Sequence, residues 1–266
     1  MFMDRINKNG AAIKLYRLAA NIFGGIWAFW GLISFVVTFL IIFIPSMLSY
    51  LFKDEKKGQA YFIAVSRWWM RIWLVIIGCP VTVRGKENFE KGKNYIIVFN
   101  HNALLDVPLS APFVPGANKT IAKSSFAKVP IFGWFYKRGS VLLDRKSEKS
   151  RVRSYEEMKQ TLFKGMHICI YPEGTRNRTG QPLKPFYEGA FKLATETQKE
   201  IIPCVIIGTG SAMPIHKTFH LIPTPLLMIF MPPVSPAGLH AKALKETVFN
   251  SMLQQYLVEV KQKVLE

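Results

Sequence analysis

The longest apolar stretch of the chain lies in its N-terminal third. From Leu18 to Phe52 the sequence contains no charged side chain. A membrane-spanning helix needs about 20 apolar residues, so this segment is long enough to enter or cross a bilayer. The pattern is compatible with one long tilted helix and with a re-entrant hairpin of two short halves, for which Gly24, Gly25, Gly31 and Pro45 are candidate bend points.

A second apolar stretch, Tyr61–Pro80, differs because it carries charge. Arg67 and Arg71 are spaced i, i+4 and lie among tryptophans. Arginine beside tryptophan is typical of a helix in the membrane interface, with charges reaching the head groups and rings at their level. The alternative is an amphipathic core helix. The tryptophans are Trp68, Trp69 and Trp73.

After Pro80 the pattern changes to short β-branched or aromatic runs separated by helical stretches. The predicted strands are Val81–Arg84, Tyr95–Phe99, Lys119–Ala122, Gly139–Leu143, Ile168–Tyr171, Ile201–Ile207 and Leu227–Phe230. The predicted helices are Glu148–Lys164, Phe186–Gln198 and Lys242–Leu265. This alternation predicts an α/β domain over residues 81–266, a largely parallel sheet flanked by helices. Residues 1–80 are predicted to form membrane-docking helices, an N-terminal membrane-embedded helical hairpin.

Composition narrows the class of partner. Half of the residues are hydrophobic, yet the formal net charge is +18. A strongly basic chain favours nucleic acid, an anionic membrane surface or a phosphorylated substrate. No zinc-finger spacing, basic-zipper heptad or aromatic RNA-binding signature occurs, so membrane and phosphate fit better than nucleic acid. Cys79, Cys169 and Cys204 lie in apolar runs and are predicted to be buried free thiols in a reducing compartment.

The charges beside the apolar run predict its topology. Arg5, Lys8, Lys14 and Arg17 precede it against one acid, Asp4. Basic flanks stay in the cytoplasm, and the chain after the run is basic too. Both flanks are therefore predicted on the cytoplasmic face, which favours dipping into the membrane and returning over a single crossing.

The first candidate chemistry follows the strand Tyr95–Phe99. The segment Asn100–Asp106 places a histidine, His101, five positions before Asp106. Histidine is the usual general base, and a carboxylate folded back against it fixes the tautomer and stabilises the imidazolium. A loop histidine beside an ordinary helix-capping aspartate is the alternative for this segment alone.

The second candidate is the segment Tyr171–Arg176, again at a strand end. Gly174 allows close backbone approach to a ligand, while Thr175 and Arg176 donate hydrogen bonds that suit a phosphate. Glu173 is predicted to hold Arg176 or to contact the substrate. In isolation the segment is equally compatible with a surface turn.

Together these segments resemble the glycerophospholipid acyltransferase family, particularly bacterial 1-acylglycerol-3-phosphate acyltransferases. The family has four blocks in order: Asn-His-x4-Asp, Ile-Asp-Arg, Pro-Glu-Gly-Thr-Arg and a hydrophobic strand with proline. They correspond here to Asn100–Asp106, Gly139–Arg145, Pro172–Arg176 and Ile202–Val205. The resemblance covers residues 80–235, and Ala122–Gly133 is also similar to the family.

The resemblance implies that His101, assisted by Asp106, deprotonates the free hydroxyl of lysophosphatidic acid. The oxygen then attacks the thioester of acyl-coenzyme A or acyl carrier protein, with no acyl-enzyme intermediate, no metal and no cofactor. It further implies substrate binding by a set of residues around the pair. A membrane on the cytoplasmic side, in bacteria the inner membrane, is the implied location. The substrate-binding residues are Asn100, Lys123, Arg145, Glu173, Gly174, Thr175 and Arg176.

Three interpretations stay open. The acceptor is lysophosphatidic acid, or another acceptor such as glycerol-3-phosphate, a lyso-aminolipid or another lysophospholipid, or the chain is a non-catalytic lipid-binding protein. One departure concerns the acceptor: the family often has a lysine just before glycine, whereas Pro185–Gly189 lacks it and the nearest lysine is Lys184. The histidines outside the blocks are predicted to be structural or surface residues. They are His167, His216, His220 and His240.

Overall fold

The computed structural model describes the backbone of residues 2–265 and the side chains of residues 14, 15 and 17–262. The side chains of Asp4, Arg5 and Lys8, which enter the topology prediction, lie outside this set. The helices are α1 Phe2–Met47, α2 Glu55–Ile76, α3 Asp106–Phe113, α4 Phe132–Gly139, α5 Glu148–Phe163, α6 Gly189–Thr197, α7 Thr209–Ala212 and α8 Ala241–Leu265. The strands are β1 Val81–Arg84, β2 Ile96–Phe99, β3 Asn118–Lys123, β4 Ser140–Leu143, β5 His167–Ile170, β6 Ile201–Ile207 and β7 Leu226–Phe230.

The seven strands form one sheet in the order β1-β7-β6-β2-β5-β3-β4. Every neighbouring pair is parallel except β6 and β7. The predicted fold class, a largely parallel sheet flanked by helices, is confirmed. Each predicted strand is present with its ends within one residue of the prediction, because β-branched runs bounded by turns specify buried strands locally.

The sheet is buried on both faces. In β2, Ile97 and Phe99 join the core beneath α1, α2 and α3. Ile96 and Val98 point the other way, into the core beneath α5, α6 and α8. A strand covered on both faces reads as a continuous apolar run, which is the pattern of Ile96–Phe99. The three cysteines are buried and free, as predicted.

The apolar run Leu18–Phe52 does not fold into two short halves. It is one continuous helix to Met47, followed by a short 3-10 turn. Gly24 and Gly31 are not bends: a methyl group at Gly24 would overlap the His220 ring, and one at Gly31 would lie 2.8 Å from Leu221 Cδ2. These glycines let the helix backbone approach the domain closely.

The face of α1 that meets the domain carries small residues, including Ala28 and Ser34. Its outward face carries large apolar side chains, whereas a soluble amphipathic helix turns polar side chains outward. The segment Arg17–Leu51 is long and apolar enough to cross a membrane, and only 28% of its apolar part is buried against the rest of the protein. This surface indicates association with a membrane. Exposed members include Ile26, Ile33, Val37, Leu40, Ile41 and Ile44.

The interfacial prediction for α2 is wrong for most of its polar residues. Arg67 donates to the carbonyls of Pro112 and Val114 at 2.6 and 2.7 Å, so it holds the C-terminal end of α3. Trp69 and Trp73 are buried and donate to Thr38 Oγ1 and the Gly31 carbonyl of α1. Helix α2 is therefore buried on the side that α1 and α3 cover, whereas Trp68, Arg71, Ile72 and Val75 are exposed on the other side, as the interfacial prediction expects. Trp68 alone of the three tryptophans is well exposed, at 63%.

The predicted boundary at residue 80 falls in the turn between α2 and β1. Helices α1 and α2 pack side by side as a hairpin, and their buried side chains belong to the same hydrophobic core as β2 and β6. The hairpin is thus attached to the sheet along its length rather than joined to it by a linker.

Candidate active site

The His101 and Asp106 side chains meet at the carboxyl end of the central strand β2. His101 follows the end of β2, and Asp106 is the first residue of α3. The distance from His101 Nδ1 to Asp106 Oδ2 is 2.8 Å. Because the carboxylate only accepts, Nδ1 carries the proton and Nε2 remains a proton acceptor. The ring is partly open to solvent, at 15% exposure, whereas the Asp106 side chain is fully buried.

The loop between β2 and α3 folds around the Asp106 carboxylate. Its Oδ2 also accepts hydrogen bonds from the backbone N–H groups of Asn102 at 2.6 Å and Ala103 at 2.8 Å. Hydrogen bonds from backbone N–H groups to a carboxylate are short and strong, so they hold it in one orientation. The hydroxyl of Tyr171 donates to the Asp106 carbonyl at 2.9 Å, and its ring lies 4.5 Å from the His101 ring. The pair is therefore fixed by contacts from two strand ends.

The Tyr171–Arg176 turn holds the backbone of His101 directly. Buried Glu173 accepts the His101 N–H through Oε1 at 2.9 Å, and the Asn177 N–H donates to the His101 carbonyl at 2.7 Å. The other Glu173 oxygen, Oε2, accepts the Lys184 N–H at 3.2 Å. Glu173 thus positions the histidine rather than holding Arg176 as the sequence had suggested.

The Glu173 carboxyl group has a shifted titration. Burial raises its pKa to about 7, and the neighbouring Asp106 carboxylate acts in the same direction, against the lowering effect of the two backbone hydrogen bonds. A buried carboxyl between protonation states near neutral pH makes this turn sensitive to pH.

The remaining predicted residues surround the turn. Gly174 has φ +74°, a conformation that L side chains rarely adopt, and a methyl group there would lie 3.7 Å from Arg145 Nη1. The exposed guanidinium of Arg145, from the segment after β4, therefore lies beside the turn. Arg176 is half-buried, Thr175 is exposed, and Lys123 is exposed at the carboxyl end of β3. The fold brings cations from three strand ends to one edge of the sheet.

Asn100 lies elsewhere than predicted. Its side chain is fully buried, and its amide makes two hydrogen bonds to the backbone of Ile206: Nδ2 donates to the carbonyl at 2.9 Å and Oδ1 accepts the N–H at 2.7 Å. With both amide atoms engaged, Asn100 joins the ends of β2 and β6. The prediction that it binds substrate is corrected, because the residue shapes the base of the site instead.

Three residues of the site were not predicted from sequence. Lys184 Nζ donates to Thr175 Oγ1 at 2.8 Å and to the Glu173 carbonyl at 3.3 Å. Tyr187 covers Gly174, since a methyl group at the glycine would lie 2.7 Å from Tyr187 Cε2. Asn177 closes the loop by binding the Gln181 carbonyl. One feature of the sequence could have indicated Lys184: it precedes Pro185, whereas the family often has its lysine just before the glycine.

An apolar cavity of about 540 Å³ opens beside the His101 loop. It extends between α1, α2, α3 and α4, and residues directly following His101, including Leu104 and Val107, line it. Most of its lining is aliphatic or aromatic, as a hydrocarbon chain requires. Phe35, Trp69, Phe132 and Phe135 form part of the wall.

The histidines outside the motifs are not grouped for metal binding. His167 is buried and accepts the Tyr95 N–H through Nδ1, and burial lowers its pKa to about 4, so it is neutral. His240 accepts the Ala243 N–H at the start of α8. Among the described residues, no three or more His, Cys, Asp or Glu side chains gather into a metal site.

Comparison with known proteins agrees with this geometry. A family model described as Acyltransferase matches residues 80–207, which include β1 to β6 and both motifs. A 1-acyl-sn-glycerol-3-phosphate acyltransferase of Chlamydomonas reinhardtii is 26% identical over 235 residues, covering 84% of this chain and 67% of that protein. The alpha form from Mus musculus is 32% identical over 185 residues, covering 67% and 64%.

The structural neighbour extends the match to the N-terminal hairpin. The crystal structure of the 1-acyl-sn-glycerophosphate acyltransferase PlsC from Thermotoga maritima superimposes with a TM-score of 0.75 and 25% identity, covering 92% of this chain and 98% of that one. The match to the first curated relatives spans between 49% and 67% of their length. The order of the motifs, the fold and these matches together identify residues 80–207 as an acyltransferase domain.

Proposed function

We propose that this protein transfers a fatty acyl group from an acyl thioester to the free hydroxyl of lysophosphatidic acid, giving phosphatidic acid. The observation that carries the proposal is the 2.8 Å His101–Asp106 pair beside an apolar cavity and a cluster of cations. The named relatives act on 1-acyl-sn-glycerol-3-phosphate, which has one free hydroxyl, one phosphate and one acyl chain.

The base in this scheme is His101 Nε2. It takes the proton of the acceptor hydroxyl as the oxygen attacks the thioester carbonyl. Asp106 stabilises the imidazolium that results. The carbon–sulfur bond breaks, the new ester forms, and the proton passes from His101 to the departing thiolate. No acyl-enzyme intermediate and no bound cofactor are required, since the thioester itself is the activated donor.

The cations around the turn are assigned to the acceptor phosphate. Arg145 and Arg176 supply planar guanidinium donors, which suit bidentate phosphate binding, and Lys123 adds a point charge at the next strand end. The backbone of Gly174 approaches the ligand closely. The apolar cavity receives a hydrocarbon chain, so that the polar and apolar parts of a lysolipid match adjacent surfaces.

The donor and the location belong to the same proposal. Acyl-coenzyme A and acyl carrier protein both present a thioester and are both retained as donors.

The apolar face of α1 holds the enzyme at the membrane in which the acceptor resides. The domain lies on the cytoplasmic face, in a bacterial cell that of the inner membrane, because basic flanks stay there.

The base is tested by His101→Ala and Asp106→Asn. His101→Ala should abolish acyl transfer with normal vesicle binding, because the apolar face of α1 is untouched. Asp106→Asn should lower turnover by roughly 100-fold or more, since an amide cannot stabilise the imidazolium in the same way. Radiolabelled acyl transfer and vesicle co-sedimentation measure the two properties. Near-normal turnover in His101→Ala would refute the mechanism.

The acceptor site is tested by Arg176→Ala. Loss of a charge-assisted phosphate contact should raise the apparent KM for lysophosphatidic acid by roughly tenfold, with a smaller effect on kcat. The control is an unphosphorylated monoacylglycerol, whose KM should be unchanged. Equal effects on both acceptors would remove the phosphate-binding role from Arg176.

A second acceptor is favoured by one feature of the turn. Tyr187 covers Gly174 and Lys184 binds Thr175, in the segment that departs from the family pattern. These contacts change the space beside Gly174. An acceptor whose polar part differs in size from that of lysophosphatidic acid is therefore the second candidate, either another lysophospholipid or glycerol-3-phosphate. A panel of acceptors with the wild-type protein and His101→Ala as blank distinguishes them by kcat/KM.

A further inference from the structure

A second cavity lies at the opposite end of the molecule from His101. Its volume is about 330 Å³, and it is enclosed by the turn between α1 and α2, the start of β3 and the end of α4. Lys119, in its wall, is at the amino end of β3, whereas His101 follows the carboxyl end of the parallel strand β2. The length of the strands therefore separates this cavity from the reacting atoms at His101. Its polar lining is Ser49, Lys53, Glu55, Lys119, Lys137 and Arg138.

The base of this cavity is a buried arginine. Arg138 is 8% exposed. Its Nε donates to Ser49 Oγ at 3.0 Å, its Nη2 donates to the Ser49 carbonyl at 3.3 Å, and its guanidinium lies 4.9 Å from the centre of the Tyr50 ring. A guanidinium has five N–H donors, so these bonds leave donors for a further acceptor.

The charge around Arg138 is not balanced within the described part of the chain. The carboxylate in the cavity wall, Glu55, is shared by Lys119 at 3.2 Å and Lys164 at 2.6 Å. No described carboxylate lies within ion-pair distance of Arg138. Lys53 and Lys137 add two exposed cations. Buried arginines are normally paired, so this cavity is complementary to an anion.

The rim of the cavity identifies where the anion comes from. Leu48, Leu51 and Phe52 are exposed apolar side chains in the same turn, and Leu51 is 77% exposed. They continue the outward apolar face of α1. Cations directly beside exposed apolar side chains are the arrangement found where a protein meets anionic lipid head groups.

We propose that the cavity around Arg138 binds the phosphate of an anionic phospholipid head group of the membrane. It is a docking site that is separate from the acceptor site and does not depend on the identity of the acyl acceptor. Binding there holds the hairpin turn at head-group level, while the rest of α1 contacts the lipid beside the catalytic end.

The test compares flotation of the full-length protein with vesicles of phosphatidylcholine alone and vesicles that also contain phosphatidylglycerol. Lys53→Gln/Lys137→Gln should reduce binding to the anionic vesicles by roughly tenfold or more, since each removes a cation close to the surface. The matched control is Lys242→Gln/Lys261→Gln, which removes the same charge from exposed positions on α8, across the sheet from the hairpin. Equal losses in the two double variants would refute a specific site.

Arg138→Lys tests the guanidinium itself. It keeps the charge but loses the planar fork, so anionic-vesicle binding should fall while phosphatidylcholine binding stays constant. Wild-type binding in this variant would overturn the role of Arg138. Melting curves and acyl transfer to a soluble acceptor verify that both pocket variants are folded.

A competition arm distinguishes a lipid head group from a free anion. Inorganic phosphate at constant ionic strength should displace little of the vesicle-bound protein, because it lacks the acyl chains that meet the apolar rim. Complete displacement at millimolar phosphate would assign the site to a soluble anion and overturn the lipid proposal.

Discussion

The His101 ring owes its position to contacts on its own backbone as well as to Asp106. Glu173 accepts its N–H, and Asn177 donates to its carbonyl. Without these two hydrogen bonds, the backbone at His101 would be free to move with the loop that follows β2. With both peptide groups held by the turn after β5, the ring needs only the Asp106 bond to set its tautomer. The two motifs thus act as one unit.

Glu173→Gln is expected to change the pH dependence of stability. An unfolded glutamate has a pKa near 4.3, whereas burial raises that of folded Glu173 to about 7. The folded state therefore binds the proton more tightly, and wild-type stability falls as pH rises from about 4.3 to about 7, by about 4 kcal/mol in total. Glutamine cannot ionise, so this part of the slope should disappear.

The measurement is denaturant unfolding in detergent at several values between about pH 5 and pH 8. Glutamine also loses an acceptor for one backbone N–H, which costs about 1–3 kcal/mol at every pH. Wild type should therefore be the more stable protein at about pH 5, and its advantage over Glu173→Gln should shrink as pH rises and reverse above about pH 7. A constant difference would contradict the raised pKa.

At the scale of elements, the first half of the described part of α1 meets the domain through small residues, Gly24, Ala28, Gly31 and Ser34, while Phe39 and Ile42 are buried further along. Most of its other isoleucine, leucine and valine side chains face outward. In lipid, helix association depends on close packing rather than on apolar burial, so small residues belong at the contact. In water the same helix would promote aggregation, because so much of its apolar surface stays exposed.

Gly31→Leu tests this packing. The new side chain would meet Leu221, since even a methyl group at Gly31 lies 2.8 Å from Leu221 Cδ2. The expected result is a loss of about 1–3 kcal/mol of stability in detergent, although the helix becomes more apolar. Gly25→Leu is the matched control, because no heavy atom lies within 4 Å of a methyl group there. Similar melting temperatures for the two variants would contradict the docking role of Gly31.

At the scale of the whole molecule, the hairpin crosses one face of the sheet from the catalytic end to the amino ends of the strands. The apolar segment Arg17–Leu51 has 35 residues. As a helix it would measure about 50 Å, well beyond the roughly 30 Å of a hydrocarbon core. Cations lie at both ends, Arg17 at its first position and Lys53 just after it. Such a segment fits a helix lying along or tilted into one leaflet.

Topology mapping tests this arrangement. The three native cysteines are buried, so single cysteines introduced at Lys14 and Lys242 can be labelled selectively. Both positions should react from the same side of sealed membrane vesicles. Labelling from opposite sides would show that α1 crosses the bilayer and would exclude the in-leaflet orientation.

The sequence predicts the strands more completely than the helices. Most of the seven strands are short β-branched or apolar runs ended by turn residues, a signal that local sequence carries. No bounds were predicted for helices α3, α4 and α7, because each has eight residues or fewer and so shows at most about two turns of periodicity. Arg67 was interpreted as an interfacial cation, since nothing nearby in sequence shows that α3 would end beside it.

By itself, the sequence determined the order of the strands and of the longer helices, the apolar character of the N-terminal segment and the motifs that contain His101, Asp106 and Arg176. These depend on apolar periodicity and on residues at short spacing. The tertiary structure alone decided that Asn100 joins two strands, that Glu173 holds the histidine backbone and that Arg138 lies buried in a cavity. Each of those contacts joins segments far apart in the chain, whose approach depends on how the whole sheet and hairpin pack.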